Sequence, residues 1–305
     1  MKTNFRLSLV LFVFAGLVMT SCEKKTGEKY TLQYEEQVLN LPGVSNARQL
    51  GRYLINNKTV RMDVLLRSGA LVKASDEALA VLHDKYKLAF VFDFRSSMER
   101  GGAPDRDVEG AQNVWLPVLE KMITKEGASS AMAQLHMSKD NPSYTIELLQ
   151  RPDIQKALDS SYGDIVFDED SQHSYAAFLD SLVALPVGRA ALWHCTHGKD
   201  RCGWGTAFVL AVLGAERSLI VDDFAMSNIS YSKDIEALAS VARAKGLEDE
   251  LMEYIYLIRG VNVALFEKTL DSIDARYGSI DNYLEKALDL TSEERQKLKD
   301  KFLCD

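Results

Sequence analysis

Cysteine, histidine and proline are all scarce in this chain of 305 residues. Beyond Cys22 the cysteines are Cys195, Cys202 and Cys304, too few for a disulfide scaffold and without the spacing of a metal site. The five histidines are scattered, so the sequence predicts neither a metal nor another cofactor. The six prolines form no linker-like stretch, and we find no internal repeat or low-complexity tract. These absences favour one domain after the N-terminal segment.

An excess of positive charge is also missing. The formal net charge of −8 argues against nucleic acid as a partner. Hydrophobic residues make up 47% of the chain, enough for a sizeable core. Local positive charge at a functional site must therefore come from particular side chains.

No long apolar run is present at the N-terminus. Leu7–Val18 is 12 residues long, too short to span a bilayer and typical of a signal-peptide core. Cys22 follows small residues in a pattern that resembles a bacterial lipoprotein processing site. We therefore expect a signal peptide over residues 1–21, lipidation of Cys22, a polar tether over 22–37 and a lipid-anchored location in the cell envelope, on the periplasmic face or the outer membrane. The alternative is a plain secretory signal followed by a chance cysteine.

The most informative segment is the loop His194–Arg201, here named the reactive loop. An apolar run, Ala190–Trp193, predicts a buried strand before it, and Cys202–Gly214 predicts an apolar helix after it. Backbone N–H groups at a helix N-terminus favour anions, both a phosphoryl group and a thiolate. Arg201 adds a planar fork of donors that can grip two phosphate oxygens. The alternative is a packing cysteine near a surface arginine.

The reactive loop resembles the His-Cys-x5-Arg signature of cysteine-based phosphatases. It is most similar to a bacterial branch of atypical tyrosine and dual-specificity phosphatases with a His-Cys-x-x-Gly-Lys-Asp-Arg loop. Further segments match that family's pattern: Asn46–Gly51, Leu66–Leu71, Asp93–Ser96 followed by Glu99, Ser227–Asn228 and Tyr277–Leu284.

The resemblance implies a phosphatase domain over residues 38–305 that needs no cofactor. Cys195 would attack a phosphate monoester, and water would hydrolyse the cysteinyl phosphate. In addition to Arg201, the residues expected to bind substrate are Thr196, His197, Gly198, Lys199, Asp200, Cys202 and Arg48. The chain departs from the family at Cys202, where a serine or threonine is usual, and at Gln49, where an acidic residue is common.

A general acid must protonate the leaving oxygen, and three aspartates are candidates. Asp93 comes first because it ends a predicted strand and matches a family motif. Asp105 lies on a loop that could close over the site, and Asp200 lies within the reactive loop. The alternative for Asp93 is a buried ion pair with one of the arginines Arg95, Arg67 and Arg48.

The pattern of elements predicts an α/β fold with a mostly parallel central sheet flanked by helices. The predicted strands are Val64–Leu66, Ala89–Phe94, Ala190–His194 and, less clearly, Val114–Pro117. The same pattern predicts helices over Asp76–Lys87 and over nearly all of Ser218–Leu303. Residues 119–170 hold helical stretches that form either a cap over the active site or a surface insertion.

Protein phosphotyrosine is the first substrate expected, with dual specificity as an extension. An inositol phosphate or phosphoinositide is the alternative, because Lys199 could contact a second phosphate. A hypothesis from another functional class is a phosphate-binding envelope protein with weak catalysis. The departure from the family at Cys202 motivates it. We expect the protein to contact the membrane only through its lipid anchor.

Overall fold

The structure is a computed structural model that describes residues 34–121 and 131–305. Its strands are β1 Arg48–Gln49, β2 Leu54–Ile55, β3 Lys58–Val60, β4 Leu65–Ser68, β5 Leu88–Asp93, β6 Gln112–Trp115, β7 Ala190–His194 and β8 Leu303–Cys304. Its helices are α1 Asp76–Asp84, α2 Ser97–Gly102, α3 Ala131–Met137, α4 Pro142–Leu149, α5 Pro152–Phe167, α6 Glu169–Val183, α7 Asp200–Leu213, α8 Arg217–Ala225, α9 Ser227–Ser230, α10 Ser232–Ala244, α11 Glu248–Arg259, α12 Val263–Tyr277, α13 Ile280–Lys286 and α14 Ser292–Phe302.

The main sheet has five strands in the order β1-β4-β7-β5-β6. Four of them run parallel, and the short β1 pairs antiparallel with β4. Asp93 on β5 is in register with His194 on β7 and with Trp115 on β6. The carboxyl ends of these three strands therefore finish at one edge, where ligands bind in open α/β sheets.

Both faces of this sheet are covered. Along β7, Ala190 and Leu192 belong to a smaller core that includes α1. The alternating Ala191 and Trp193 belong to the larger core, which contains residues of α4 to α8 and of the C-terminal helices. This arrangement explains why the predicted strand is apolar throughout, since a parallel strand buried on both faces needs no polar side.

The sequence predicted the parallel strands and missed the short ones. β7 has the predicted bounds, while β4, β5 and β6 begin within two residues of the predicted strands. A second sheet, β2-β3-β8, was not predicted. Its strands are two or three residues long, too short to show an alternating pattern.

The helical predictions are largely confirmed. α1 ends at Asp84 rather than at Lys87, because Lys87 has a positive φ of 50° and cannot continue a helix. The C-terminal third is helical apart from β8, and α3, α4 and α5 lie within 119–170. Whether this segment caps the active site stays a prediction, and residues 122–130 lie outside the described ranges.

The folded domain begins before the boundary predicted at residue 38. Tyr34 shares a hydrogen bond with Ser230, Oη to Oγ 2.6 Å, and the buried Gln37 donates to the carbonyl of Gly51. Residues 34–37 therefore belong to the domain and not to the tether. The predicted signal peptide and Cys22 lie outside the described residues. Within the described ranges, we find no helix that is long and apolar enough to cross a membrane.

Candidate active site

The reactive loop lies between the end of β7 and the start of α7, at the carboxyl edge of the main sheet. α7 begins at Asp200, two residues before the predicted start. Gly198 has a φ of +65°, and a Cβ there would lie 2.3 Å from the carbonyl carbon and oxygen of Ser68. Glycine is needed for both reasons. A residue with a Cβ would be strained in the left-handed conformation, and its Cβ would clash with β4.

The backbone carbonyls of the reactive loop are held from outside. The four carbonyls of residues 196–199 accept hydrogen bonds in chain order from the Ala70 N–H, the Tyr231 hydroxyl, the Asn46 amide and the Arg67 guanidinium. A trans peptide holds its N–H opposite its C=O. The N–H groups that follow these carbonyls therefore point to the inner side of the loop, where they can bind an anion.

Arg201 is held by Glu99 on α2. The two terminal guanidinium nitrogens donate to the two carboxylate oxygens of Glu99, each at 2.7 Å. Thr196 Oγ1 donates to the same carboxylate at 2.5 Å. This pairing fixes the plane of the guanidinium at the mouth of the loop, where 13% of the Arg201 side chain is exposed.

Glu99 lies in one of the segments that match the family pattern, and the sequence alone predicted no role for it. Its position has a local cause, because Ser96 and Glu99 form a capping box at the start of α2. Burial disfavours ionisation of Glu99, but the charge and hydrogen bonds of Arg201, together with the Thr196 hydroxyl, outweigh it and lower the pKa of the carboxyl. Glu99 is therefore an ionised partner of Arg201.

A buried charge cluster supports the loop from behind. Arg67 donates to the carbonyl of Gly198 at 2.9 Å and to Asp223 at 2.5 Å. Asp223 also accepts from Arg48 and from the Tyr53 hydroxyl, 2.9 Å away. Burial raises the pKa of Asp223, but the two arginines and the tyrosine outweigh that effect and lower it. Two guanidinium groups against one carboxylate leave net positive charge behind the anion-binding loop.

Arg48 was predicted to bind substrate, and the structure corrects this. Its side chain is fully buried and donates to Asn46 Oδ1 at 2.7 Å and to the Asp223 carbonyl at 2.9 Å. Asn46 in turn donates to Gly198. Arg48 therefore supports the reactive loop through Asn46 and does not reach its mouth.

Lys199 likewise departs from its predicted role in binding substrate. Its Nζ donates to the carbonyls of Leu257 and Gly260, both at 2.6 Å, and lies 3.4 Å from Asp200 Oδ2. These carbonyls end α11, and a cation stabilises that end of a helix. The side chain is 7% exposed, so Lys199 ties the loop to α11 instead of presenting a charge at the mouth.

The two cysteines near the loop have different surroundings. Cys195 is 3% exposed and lies at the base of the loop. Cys202 is fully buried in the first turn of α7, and its thiol donates to the carbonyl of Trp193 at 3.3 Å. Burial raises the pKa of Cys202 to about 12, although Arg67 lowers it. Cys202 is thus a protonated thiol behind the loop, which corrects its predicted contact with substrate.

His197 and Tyr231 form one side of the mouth. Their rings meet edge to face with centroids 6.3 Å apart, and His197 is exposed. Partial loss of hydration, followed by the charges of Lys199 and Arg201, lowers the pKa of His197. His197 is therefore a neutral aromatic group at neutral pH, available to contact the group that carries the phosphate.

Asp93 and Asp105 share one arginine beside the loop. Arg95 donates to both oxygens of Asp93 at 2.9 Å and to Asp105 at 2.5 Å. The buried His194 lies against the same group, with Nε2 3.2 Å from Asp105 Oδ2. Asp93, Asp105 and His194 are close enough to share a metal ion, a proximity that the sequence analysis did not anticipate. The guanidinium of Arg95 already supplies positive charge to both carboxylates there.

Asp200 has a different environment, because it opens α7 within the reactive loop itself. Its carboxylate is 26% exposed, and Oδ1 accepts a hydrogen bond from the Tyr162 hydroxyl at 3.1 Å. Tyr162 comes from α5 and is almost fully buried, and its hydroxyl accepts from the N–H of Asn262. The sequence gave no signal for Tyr162, because it lies 38 positions before its partner.

A loop of this kind, with a cysteine at its base and an arginine at its mouth on the carboxyl edge of a parallel sheet, is typical of the phosphatases whose signature loop contains both residues. Residues 39–304 match the tyrosine phosphatase family, and the chain belongs to that family.

Two relatives agree with this assignment. One is a protein of Cupriavidus necator that is named, provisionally, as a tyrosine-protein phosphatase; it is 29% identical over 255 residues, which cover 81% of this chain and 82% of the relative. The other is the triple specificity protein phosphatase PtpB of Mycobacterium tuberculosis, 25% identical over 278 residues, which cover 82% of this chain and 94% of PtpB.

Proposed function

We propose that this phosphatase hydrolyses phosphate monoesters on proteins, with phosphotyrosine as the first substrate, through a cysteinyl-phosphate intermediate. One observation carries the proposal: Cys195 and Arg201 lie on a single loop at the start of α7 whose carbonyls are bound from outside, which leaves its N–H groups for an anion. Such a loop stabilises the equatorial oxygens of a phosphoryl group while it is transferred.

In the first step the Cys195 thiolate attacks phosphorus, and the bond from phosphorus to the ester oxygen breaks. The leaving oxygen takes a proton from the general acid. Arg201 and the loop N–H groups hold the three remaining oxygens. In the second step a water molecule attacks phosphorus, the carboxylate accepts its proton, and the S–P bond breaks to restore the thiolate.

We assign the general acid to Asp200. Asp93 and Asp105 are both bound by Arg95, the alternative that the sequence had left open for Asp93. A proton donor must lie within reach of the leaving oxygen, and Asp200 extends from the reactive loop and is partly exposed. Its hydrogen bond from Tyr162 holds the carboxyl in one orientation.

The proposed mechanism is tested with purified protein and p-nitrophenyl phosphate. Cys195→Ser is expected to abolish hydrolysis and to retain the fold, while a chelator leaves the wild-type rate unchanged because the thiolate is the nucleophile. Arg201→Lys should fail almost as badly, since an ammonium group cannot reproduce the two-oxygen grip. Full activity of Cys195→Ser would overturn the mechanism.

Substrate class is tested by comparing phosphotyrosine peptides, phosphoserine peptides and phosphoinositides. The family name supports phosphotyrosine peptides, and the triple specificity in the name of PtpB supports testing more than one substrate class. Lys199, which motivated the phosphoinositide alternative, is bound to the end of α11. We therefore expect phosphotyrosine peptides to be hydrolysed faster than phosphoinositides, and the reverse order would favour the alternative.

We also propose that Cys22 carries a lipid that anchors the protein in the cell envelope. The apolar run Leu7–Val18 and the small residues before Cys22 support this. In a bacterial host, wild type and Cys195→Ser are expected in the membrane fraction and Cys22→Ser in the soluble fraction. A soluble wild type, or a Cys22→Ser protein that stays with the membrane, would contradict the anchor.

A further inference from the structure

The reactive loop has an exposed side chain to which the proposed mechanism gives no role. Five residues lie between Cys195 and Arg201, and all of them belong to the part of the chain that the structure describes. Four of the five already have a partner, a proposed role or no side chain: Thr196, Gly198, Lys199 and Asp200. The fifth residue is His197.

The side chain of His197 is not used to hold the loop together. It is exposed, and neither ring nitrogen has a hydrogen-bond partner among the described residues. Polar groups that hold a fold together are normally buried and hydrogen-bonded. The imidazole is therefore free to contact a ligand. Because its pKa is lowered, the ring is neutral at neutral pH and can pack against an apolar group.

Tyr231 fixes the position of this imidazole. The Tyr231 hydroxyl donates to the carbonyl of His197 at 2.7 Å, and the two rings meet edge to face with centroids 6.3 Å apart. Backbone and side chain of His197 are thus both in contact with one residue of the neighbouring helix start. A ligand that packs against the imidazole would consequently immobilise little that is not already held.

The geometry of phosphoryl transfer places the leaving group near the same ring. The attacking sulfur and the leaving oxygen lie roughly in line on phosphorus, so the leaving group extends away from Cys195 and out through the mouth. His197 follows Cys195 by two positions, which limits the distance between their Cα atoms to about 7 Å. The first atoms outside the loop belong to a phenyl ring in phosphotyrosine and to a methylene group in phosphoserine.

We infer that His197 determines specificity by packing its imidazole against the phenyl ring of phosphotyrosine, so that the site prefers aryl phosphates to alkyl phosphates. This inference rests on the proposed function. An aromatic pair in an edge-to-face or offset arrangement changes binding by roughly threefold to tenfold. Phosphoserine has no ring and gains nothing from this contact. Since the ring is bound both before and during the reaction, the gain should appear in KM.

Two peptides of one sequence test the inference, one with phosphotyrosine and one with phosphoserine at the same position. The ratio of their kcat/KM values is here named the aryl preference. His197→Ala should lower the aryl preference threefold to tenfold relative to wild type, through a higher KM for the phosphotyrosine peptide. His197→Gln, which has a polar side chain without a ring, should lower it equally. His197→Phe restores a ring and should keep the aryl preference of wild type.

The same ratio can be obtained without turnover. If the phosphoserine peptide is hydrolysed too slowly to measure, equilibrium binding of both peptides to Cys195→Ser and to the double variant Cys195→Ser, His197→Ala replaces the kinetic ratio. The expected change is again threefold to tenfold.

His83→Ala is the matched control. His83 is another exposed histidine, with 45% of its side chain exposed. It lies in the last turn of α1, before β5 begins, and is therefore at the edge of the main sheet opposite the reactive loop. Its removal should leave the aryl preference unchanged.

Three results would overturn the inference and leave the proposed function intact. The first is an unchanged aryl preference in His197→Ala. The second is an equal fall on both peptides, because His197 would then act through the shape of the loop. The third is a His197→Gln protein that keeps the aryl preference, since a hydrogen bond and not the ring would then be responsible. No hydrolysis of any substrate by wild type would overturn both proposals.

Discussion

Three aspartates lie near the reactive loop, and their partners distinguish them. Asp93 and Asp105 are bound by Arg95, whereas Asp200 accepts from the Tyr162 hydroxyl, lies 3.4 Å from Lys199 Nζ and is partly exposed. Arg95 donates to both carboxylate oxygens of Asp93, whereas an acid catalyst needs an oxygen that can reach the leaving group. At the residue scale this difference is the reason for proposing Asp200 as the general acid.

Asp200→Asn is expected to lower kcat/KM, which reports the first chemical step alone, about 100-fold or more for a phosphoserine peptide, the range that general acids contribute. With p-nitrophenyl phosphate the loss should be much smaller, because that leaving group needs little protonation. Asp93→Asn should reduce both rates by the same factor and also lower stability, since it disturbs the pair with Arg95. If Asp93→Asn or Asp105→Asn shows the dependence on leaving group and Asp200→Asn does not, our assignment is wrong.

Tyr162→Phe removes only the hydroxyl that orients Asp200. We expect kcat for the phosphoserine peptide to fall threefold to tenfold with little change in KM, because substrate binding does not use this group. Combining it with Asp200→Asn should cause no further loss, since the hydroxyl acts through the carboxyl.

Tyr283→Phe is the control for Tyr162→Phe. It removes another buried hydroxyl, one that donates to the carbonyl of Val166 at 2.6 Å and has no contact with the reactive loop. Its kcat should stay near wild type. A similar loss of kcat in both variants would indicate a general effect on folding.

At the scale of elements, the geometry of the reactive loop depends on neighbours from separate parts of the chain. β1 and β4 supply Arg48 and Arg67, and α2 supplies Glu99. The end of α11 accepts the hydrogen bonds of Lys199. These contacts come from both sides of the main sheet edge, so the loop is preorganised by the assembled domain.

Gly198→Ala tests how closely β4 supports the loop. The added Cβ would meet the Ser68 carbonyl, and a left-handed φ adds its own cost, so the free energy of unfolding should fall by about 2–5 kcal/mol. Activity should be lost as well, because the loop must shift. Gly188→Ala is the control: its φ is +75° and no atom lies within 4 Å of an added Cβ. It should cost about 1 kcal/mol and keep full kcat. Urea unfolding and steady-state kinetics measure both effects, and equal losses would contradict the predicted clash.

At the scale of the whole molecule, two carboxylates held by arginines link stability to pH, one of them half-buried and the other buried. Glu99 and Asp223 both have lowered pKa values in the folded protein. Their contribution to stability is therefore fully present above the unfolded pKa of about 4 and is lost as the pH falls toward the folded values. Acid should weaken the connection between α2, the reactive loop and β4.

Glu99→Gln should accordingly be less stable than wild type at pH 6, and the difference should shrink as the pH falls from about 5 to 3. Urea unfolding across this range measures the effect. Glu109→Gln changes an exposed glutamate and should give the same pH dependence as wild type. A Glu99→Gln protein that loses stability in acid as steeply as wild type would show that the ion pair with Arg201 is not the cause.

Much of the fold could be predicted from local pattern. The apolar run of β7 followed by a glycine-containing loop and an apolar helix indicated a strand, an anion-binding loop and α7 in that order. Hydrophobic runs identified the parallel strands because those strands are buried on both faces. The strands β2, β3 and β8 could not be predicted from the sequence, because they are only two or three residues long and β3 and β8 pair across distant parts of the chain.

The sequence by itself determined which residues form the reactive loop, since Cys195, Gly198 and Arg201 lie within seven consecutive positions. Their spacing specifies a loop of the size of a phosphate group. Only the tertiary structure decided where the other charged side chains point. Lys199 turns to the end of α11, Arg48 turns to Asp223, and Glu99 reaches Arg201 from 102 positions away. The physical reason is that a buried charge is oriented by whichever partner can compensate it, and those partners come together only when the chain folds.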